Sequence, residues 1–163
     1  MSERFATWIQ IGGKVPRSKI NQLLKAIAAA GVSLEWGDAP FTPNSADDLL
    51  AARKDEYLEL CDDEASWGQF PELEQACRKL KLAYTRCTDG GCAYDAERVD
   101  WRPGMKEPQA RRSSTEYSGE TFVLVSEVKE ALVILEAGDI PKAVAKLRSL
   151  CPDIPELPPF EIV

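Results

Sequence analysis

The chain has 163 residues, 44% of them hydrophobic and 29% charged, with mean hydropathy −0.29. This is ordinary globular usage: it excludes intrinsic disorder and leaves enough chain to bury a core without disulfides or a structural metal. A formal charge of −7 and a pI near 4.8 argue against direct binding to a nucleic-acid backbone, where cationic contacts supply most of the affinity.

In chain order, Phe5 to Ile11 alternates as a strand does and runs into Gly12-Gly13. Pro16 sits where a first helical turn tolerates it, and Ile20, Leu23, Leu24 and Ile27 recur at helical spacing until Gly31. Val32, Leu34 and Trp36 alternate again, predicting a second strand and a first β-α-β pass. Residues 38–45 read as a loop, with Ser45 capping a short helix that contains Leu49 and Leu50. Tyr57 to Cys61 predicts a third strand, Asp62-Asp63-Glu64 and Gly68 a turn, and Leu73, Ala76, Cys77 and Leu80 a second amphipathic helix. Leu82 to Cys87 is a fourth strand and completes a second pass.

Cys87-Thr-Asp-Gly-Gly-Cys92 is a hairpin signal, because Asp-Gly and Gly-Gly readily take the positive φ values of tight turns. A fifth strand then runs from about Cys92 to Trp101. Residues 105–120 lack apolar periodicity and read as a mobile loop, followed by a short strand from Thr121 to Val125. A helix capped at Ser126 should bury Val128, Ala131, Leu132 and Leu135. Another capped at Asp139 should bury Ala143, Val144, Leu147 and Leu150 and stop at Pro152. The tail, residues 152–163, is too rich in proline for a helix and reads as an extended surface segment anchored by Leu157, Phe160 and Ile162.

The expected class is therefore α/β (α+β). It would be a ferredoxin-like split β-α-β sheet of about five strands, with an added strand and a C-terminal αα-hairpin. All of 1–163 is expected to form one domain: 1–104 the two passes and hairpin strand, 105–120 the loop, 121–151 the strand and helical hairpin, 152–163 the tail. No signal-peptide pattern or run of about 18 apolar residues occurs, and an odd count of five cysteines suits a reducing compartment. A soluble, cytoplasmic protein without membrane contact is the expectation.

The charge is uneven. Residues 35–74 hold twelve acids against two bases, so this stretch carries −10 while the rest carries +3. A field of that sign attracts a basic partner and repels phosphate. Asp47, Asp48, Asp55, Glu56, Glu59, Asp62, Asp63 and Glu64 are the candidate partner-binding residues.

Catalytic candidates are few. With no histidine, the commonest triads and many zinc centres are excluded. Asp62, Asp63 and Glu64 at a strand end could offer oxygen ligands to Mg²⁺ in a small metal-binding protein or enzyme, but acids before a helix more often cap it. Cys87 and Cys92 could pair across a hairpin in a thiol redox protein, although no cationic group lies in the loop between them to lower a thiol pKa. A zinc site adding Cys61 and Cys77 lacks any knuckle motif. Gly12-Gly13-Lys14 lacks the spaced glycines and following Ser/Thr of a phosphate loop and reads as a turn. Arg98, Arg102, Lys106, Arg111 and Arg112 form a local basic cluster around Trp101, diluted by Asp100 and Glu107. Trp8 and Trp36 are expected in the core.

Several phrases, W-I-x-I-G-G-K-x-P, L-E-W-G-D, L-C-D-D-E-A, G-x-F-x-E-L-E, Y-D-A-E, W-R-P-G and a final PELPPF, together resemble a group of small uncharacterised bacterial proteins with no established activity. The likeness covers most of the chain, implies a bacterial or mobile-element origin, and supplies no catalytic residues. The reading that follows leans away from an enzyme and requires no cofactor. It is an acidic binding protein that engages a protein partner with a basic surface, such as an anti-CRISPR or other anti-defence inhibitor of a phage or plasmid, with no direct nucleic-acid contact.

Overall fold

A computed structural model describes residues 3–91, 94–114 and 119–163. The class is α+β, with a six-stranded, mainly antiparallel sheet. β1 (Arg4–Val15) lies between β2 (Leu58–Ser66) and β3 (Ala83–Thr88); β4 (Glu97–Trp101) and β5 (Gln109–Arg112) follow beyond β3, and β6 (Phe160–Ile162) pairs with the end of β1. The described residues also form five α-helices, α1 (Ile20–Ala30), α2 (Ala46–Ala51), α3 (Pro71–Leu80), α4 (Val125–Glu136) and α5 (Ile140–Leu150), and a 3-10 turn at Arg17–Lys19 leading into α1. β2 and β3 are each antiparallel to β1, so they run parallel to one another on either side of it, joined through α3.

Strand alternation gives the sheet one apolar face. Leu60, Ile9, Arg86 and Val99 stand in one cross-strand row, and Leu58, Ile11, Tyr84 and Trp101 in the next. Apart from Arg86 these residues join the core with Leu23, Leu24 and Ile27 of α1 and Leu73, Cys77 and Leu80 of α3. Burying each such side chain contributes roughly 1.5–3 kcal/mol. Helix α1 stops where expected, at Gly31 with φ 68°. Helix α3 begins at Pro71 and ends at Lys81 in the same left-handed region.

The expected strand at 32–36 does not form. Ser33 exchanges both backbone hydrogen bonds with Cys61 (2.7 and 2.9 Å), and the chain then turns at Glu35–Asp38, with Gly37 at φ 77°. One rung is all that edge supplies. β1, by contrast, runs on through Gly12-Gly13 because the tail comes to it: Gly13, Lys14 and Val15 pair with Phe160, Glu161 and Ile162 in parallel. The tail is therefore part of the sheet, with Phe160 fully buried, rather than a strap on the surface.

Asp62-Asp63-Glu64, expected as a turn, lies inside β2, and the turn comes at Trp67-Gly68, both at positive φ. The expected loop at 105–120 contains β5, which pairs Arg111 with Arg98 and Gln109 with Asp100; residues 115–118 of it lie outside the described residues. The expected strand at 121–125 reduces to a single bridge, Thr121 with Ser113. Helix α4 is capped two residues earlier than expected, at Leu124 rather than Ser126, with Glu127 accepting the Leu124 N–H at 2.8 Å, whereas Asp139 caps α5 as expected through the Lys142 N–H at 3.1 Å. These two helices pack on each other across Gly138-Asp139. Of their expected buried faces only Ala131 and Ala143 are buried; Val128, Leu132, Leu135, Val144 and Leu147 are exposed, and Leu150 is half-buried. Among the described residues no helix is long and apolar enough to cross a membrane.

Candidate functional site

The acidic candidates fall on α2, the following turn and β2. Asp48 closes a capping box: its Oδ2 accepts the N–H groups of Asn44 (2.8 Å) and Ser45 (3.0 Å), while Ser45 Oγ accepts the Asp48 N–H. These bonds, led by that from Asn44, hold its carboxyl below the usual range. Asp47 is exposed beside it. Asp55 sits in a left-handed turn at φ 53° and, like Glu56, is exposed just before β2. Asp62 Oδ1 accepts the Glu64 N–H at 2.9 Å, and Asp63 Oδ2 accepts the Gly37 N–H at 2.7 Å.

Asp62, Asp63 and Glu64 lie at an irregularity in the β1–β2 register, between the Thr7–Asp62 and Phe5–Ala65 pairs, and Asp62 and Asp63 accept from different backbone N–H groups. Among the described residues no three acid or thiol groups gather to hold a metal ion. Glu59 is the exception to the open character of the set. It accepts a hydrogen bond from Gln10 Nε2 at 2.8 Å and lies 3.6 Å from Lys54, which also pairs with Glu35 at 2.9 Å. The other seven candidates have no lysine or arginine within ion-pair distance among the described residues. The terminal strand β2 carries four of the eight candidates, Glu59, Asp62, Asp63 and Glu64, and Asp63 ties the Glu35–Asp38 turn to it.

The face of the sheet turned away from α1 and α3 is polar. Its rows are Cys61, Trp8, Cys87, Arg98 and Arg111, then Glu59, Gln10, Thr85, Asp100 and Gln109. Asp100 is fully buried and is the hub. Arg98 reaches it twice (Nε at 2.9 Å, Nη2 at 3.1 Å), Arg111 at 2.7 Å and Arg102 at 3.3 Å, and the Thr85 hydroxyl donates at 2.6 Å. Burial alone would raise this carboxyl, but the bonds from Arg98, Thr85 and Arg111 outweigh it and hold the group below the usual range.

Three guanidinium groups around one carboxylate leave two positive charges unneutralised within the cluster. They border a cavity of about 600 Å³, with Asp153 and Glu156 of the tail among its other lining residues. A second hollow of about 360 Å³ adjoins it, sharing Gln10 and Arg98 and lined also by Trp8 and Trp36. Arg102 is fixed there by donating to Pro155 O and Tyr84 O, whereas Arg111 Nε is buried with no hydrogen-bond partner among the described residues. Such an arrangement can receive a planar oxyanion, which guanidinium groups match two bonds at a time.

Sequence reading found the bases of this cluster but took Asp100 as diluting them, when it is the residue that organises them. The signal was the 98/100/102 spacing: alternation puts Arg98 and Asp100 on the same face of one strand. Arg112 belongs elsewhere, pairing with Asp95 at 3.4 Å and Glu127 at 3.1 Å. Trp36, expected in the core, is exposed, and Trp101 is buried instead. Gly12-Gly13-Lys14 lies within β1, with Lys14 paired to Glu161 at 3.1 Å, so it is neither turn nor phosphate loop. Cys87 is fully buried, which pushes its thiol up to about 12, far from a reactive thiolate; Cys92 lies outside the described residues. Burial likewise raises Cys61 to about 11 and Cys77 further still.

Compared with protein-family models, curated proteins and solved structures, the chain matches none.

Proposed function

We propose that the chain is a non-enzymatic macromolecule-binding protein whose acidic β2 margin engages a protein partner with a basic surface. The observation that carries this reading is that seven of the eight candidate carboxylates form no ion pair with a lysine or arginine among the described residues, the Arg4 guanidinium reaching only the Glu64 backbone oxygen, so most of their charge is not paired internally. In its sharpest form the protein is a nucleic-acid-mimicking inhibitor of a nucleic-acid-binding effector, such as an anti-CRISPR or other anti-defence protein of a mobile element. This reading takes the architecture as a ferredoxin-like split β-α-β sheet with an αα-hairpin added, working in the cytoplasm as one domain. The test measures binding to basic effectors at about 50 and about 200 mM salt, within the range where screening lengths shrink to the size of a contact. A fall in affinity of roughly tenfold or more is expected, deepened by Asp63→Lys with Glu64→Lys. Binding that ignores both salt and charge reversal sinks the proposal.

A second reading is favoured by one specific feature, the partnerless Arg111 Nε beside the cavity of about 600 Å³. There the polar sheet face receives the carboxylate or phosphate of a small ligand. Calorimetric titration with inorganic phosphate and with a dicarboxylate tests it, and an absence of heat from both rejects it.

A further inference from the structure

The three arginines of the polar face are unequally satisfied. A guanidinium carries five N–H donors, and Arg102 commits all of them, to Pro155 O, Tyr84 O, Trp101 O, Thr85 Oγ1 and Asp100. Arg98 makes three hydrogen bonds, two to Asp100 and one to Gly119 O, whereas Arg111 makes one, to Asp100. Yet the Arg111 side chain is only 20% exposed and its Nε is buried. Donors withheld from water without an acceptor among the described residues cost free energy that a bound oxyanion would relieve. Asp153 and Glu156 also line the cavity, but both are exposed and so more strongly screened than the three arginine side chains, none of them more than 29% exposed.

The adjoining hollow has the opposite character. Trp8 and Trp36 line it, and so do Glu35 and Glu59, which share the single ammonium of Lys54. Two carboxylates against one cation leave this end acidic, with lone pairs to spare for further donors. Gln10 and Arg98 belong to both hollows, and the volumes of about 600 and 360 Å³ each lie within the size of small-molecule sites. β1 and β3 separate β2, which carries Glu59, from β4, which carries Arg98. Three strand spacings put the acidic and cationic ends roughly 14 Å apart along the backbone.

We infer that the two hollows together take a nucleoside monophosphate whose base bears an amino group. This rests on the second reading above and decides between its two kinds of oxyanion. The phosphate sits on Arg98 and Arg111, the base lies against Trp8 and Trp36, and its amino group donates to Glu35 or Glu59. A dicarboxylate would set its second charge against those two carboxylates. An amino acid carries its opposite charges on one carbon and is too short to reach both ends. A ribose supplies the separation, and a flat base matches the indole rings.

Calorimetric titration of the full chain with adenosine monophosphate, inosine monophosphate, ribose phosphate and inorganic phosphate tests the assignment. Adenosine monophosphate should bind with a Kd of roughly 100 μM or tighter, about tenfold or more below that of ribose phosphate, with inosine monophosphate, whose base has a carbonyl in place of the amino group, weaker than adenosine monophosphate. Trp36→Ala should abolish the advantage over ribose phosphate and leave ribose phosphate binding unchanged, a separation that loss of the fold would not produce. Arg111→Met should weaken both ligands by about tenfold or more. If circular dichroism shows that variant unfolded, Arg111→Lys, which keeps the charge but not the fork of donors, replaces it with the same expectation. Ribose phosphate or inosine monophosphate binding as tightly as adenosine monophosphate, or an advantage indifferent to Trp36→Ala, overturns the inference and leaves the oxyanion reading standing. An absence of heat from all four ligands overturns the inference and, if a dicarboxylate is also silent, that reading with it.

Discussion

Glu74 on α3 and Arg86 on β3 meet in the apolar layer between helix and sheet, with Oε1 and Nε 2.9 Å apart and both side chains at most 10% exposed. The approach is off the N–H axis, so this contact is ionic more than a hydrogen bond. Around it Tyr84 donates its hydroxyl to Glu74 at 3.1 Å, Glu74 accepts the Phe70 N–H, and Arg86 donates to Gly68 O and Thr88 Oγ1. Removing Arg86 strands the Glu74 charge, and removing Glu74 leaves Arg86 only the half-exposed Glu97 carboxylate at 3.3 Å. Glu74→Gln and Arg86→Met should each cost about 3–5 kcal/mol, and the double substitution less than the sum. Urea unfolding of all four species measures this; additive losses would show that the pair is not coupled.

The Asp100 hub sets a pH dependence. Its folded carboxyl titrates below the usual value, so the unfolded state binds more protons as pH falls. The stabilisation from Asp100 is therefore fully present above about pH 4, the unfolded value, and is lost as pH drops through the depressed folded value. Asp100→Asn should flatten that part of the stability-against-pH curve and, by leaving three guanidinium groups unbalanced, cost about 3–5 kcal/mol near neutral pH. Acid titration followed by circular dichroism checks both effects.

Gly12 is required by proximity. A Cβ built there would lie 1.9 Å from the backbone oxygen of Pro158, which cannot swing aside as a side chain could. Gly12→Ala should push the tail from β1, cost about 1–3 kcal/mol, and speed hydrogen exchange at the Phe160 amide, which bonds to Glu56 O at 2.7 Å. Exchange at Phe160 as slow as in the parent would refute this account.

The thiols should separate by accessibility. Cys61, Cys77 and Cys87 are buried and Cys151 is exposed. Titration with an aromatic disulfide should label Cys151 ahead of Cys61, Cys77 and Cys87, which react only as fast as the protein opens. Equal labelling of Cys87 in the native protein would contradict its burial.

Helices α1 and α3 were legible because each carries an apolar stripe at helical spacing, and the end of α1 because Gly31 takes positive φ readily, information contained in neighbouring residues. Ser45 and Asp139 were legible as caps for the same reason. β5 was not, since Gln109-Ala-Arg-Arg112 has no apolar alternation: its strand character comes from β4 beside it and from Asp100 drawing in Arg111. The strand expected at 32–36 failed conversely, as alternation was present but only Ser33 found a partner. The acidic segment was visible in composition, whereas the arginine-lined cavity depends on registers among β3, β4 and β5 and on a tail that returns from residues 152–157. Nothing local announces such contacts.

The parallel rung between Gly13 and Phe160 joins positions separated by almost the whole sequence. Contacts of that separation form late, because a long loop must close before any bond repays its lost entropy. Neighbouring β3, β4 and β5 can zip early, while the end of β1 waits for its last partner. Among the strand pairings, that of Phe160 should therefore come last, and until it forms the arginine-lined cavity lacks its Pro155 wall.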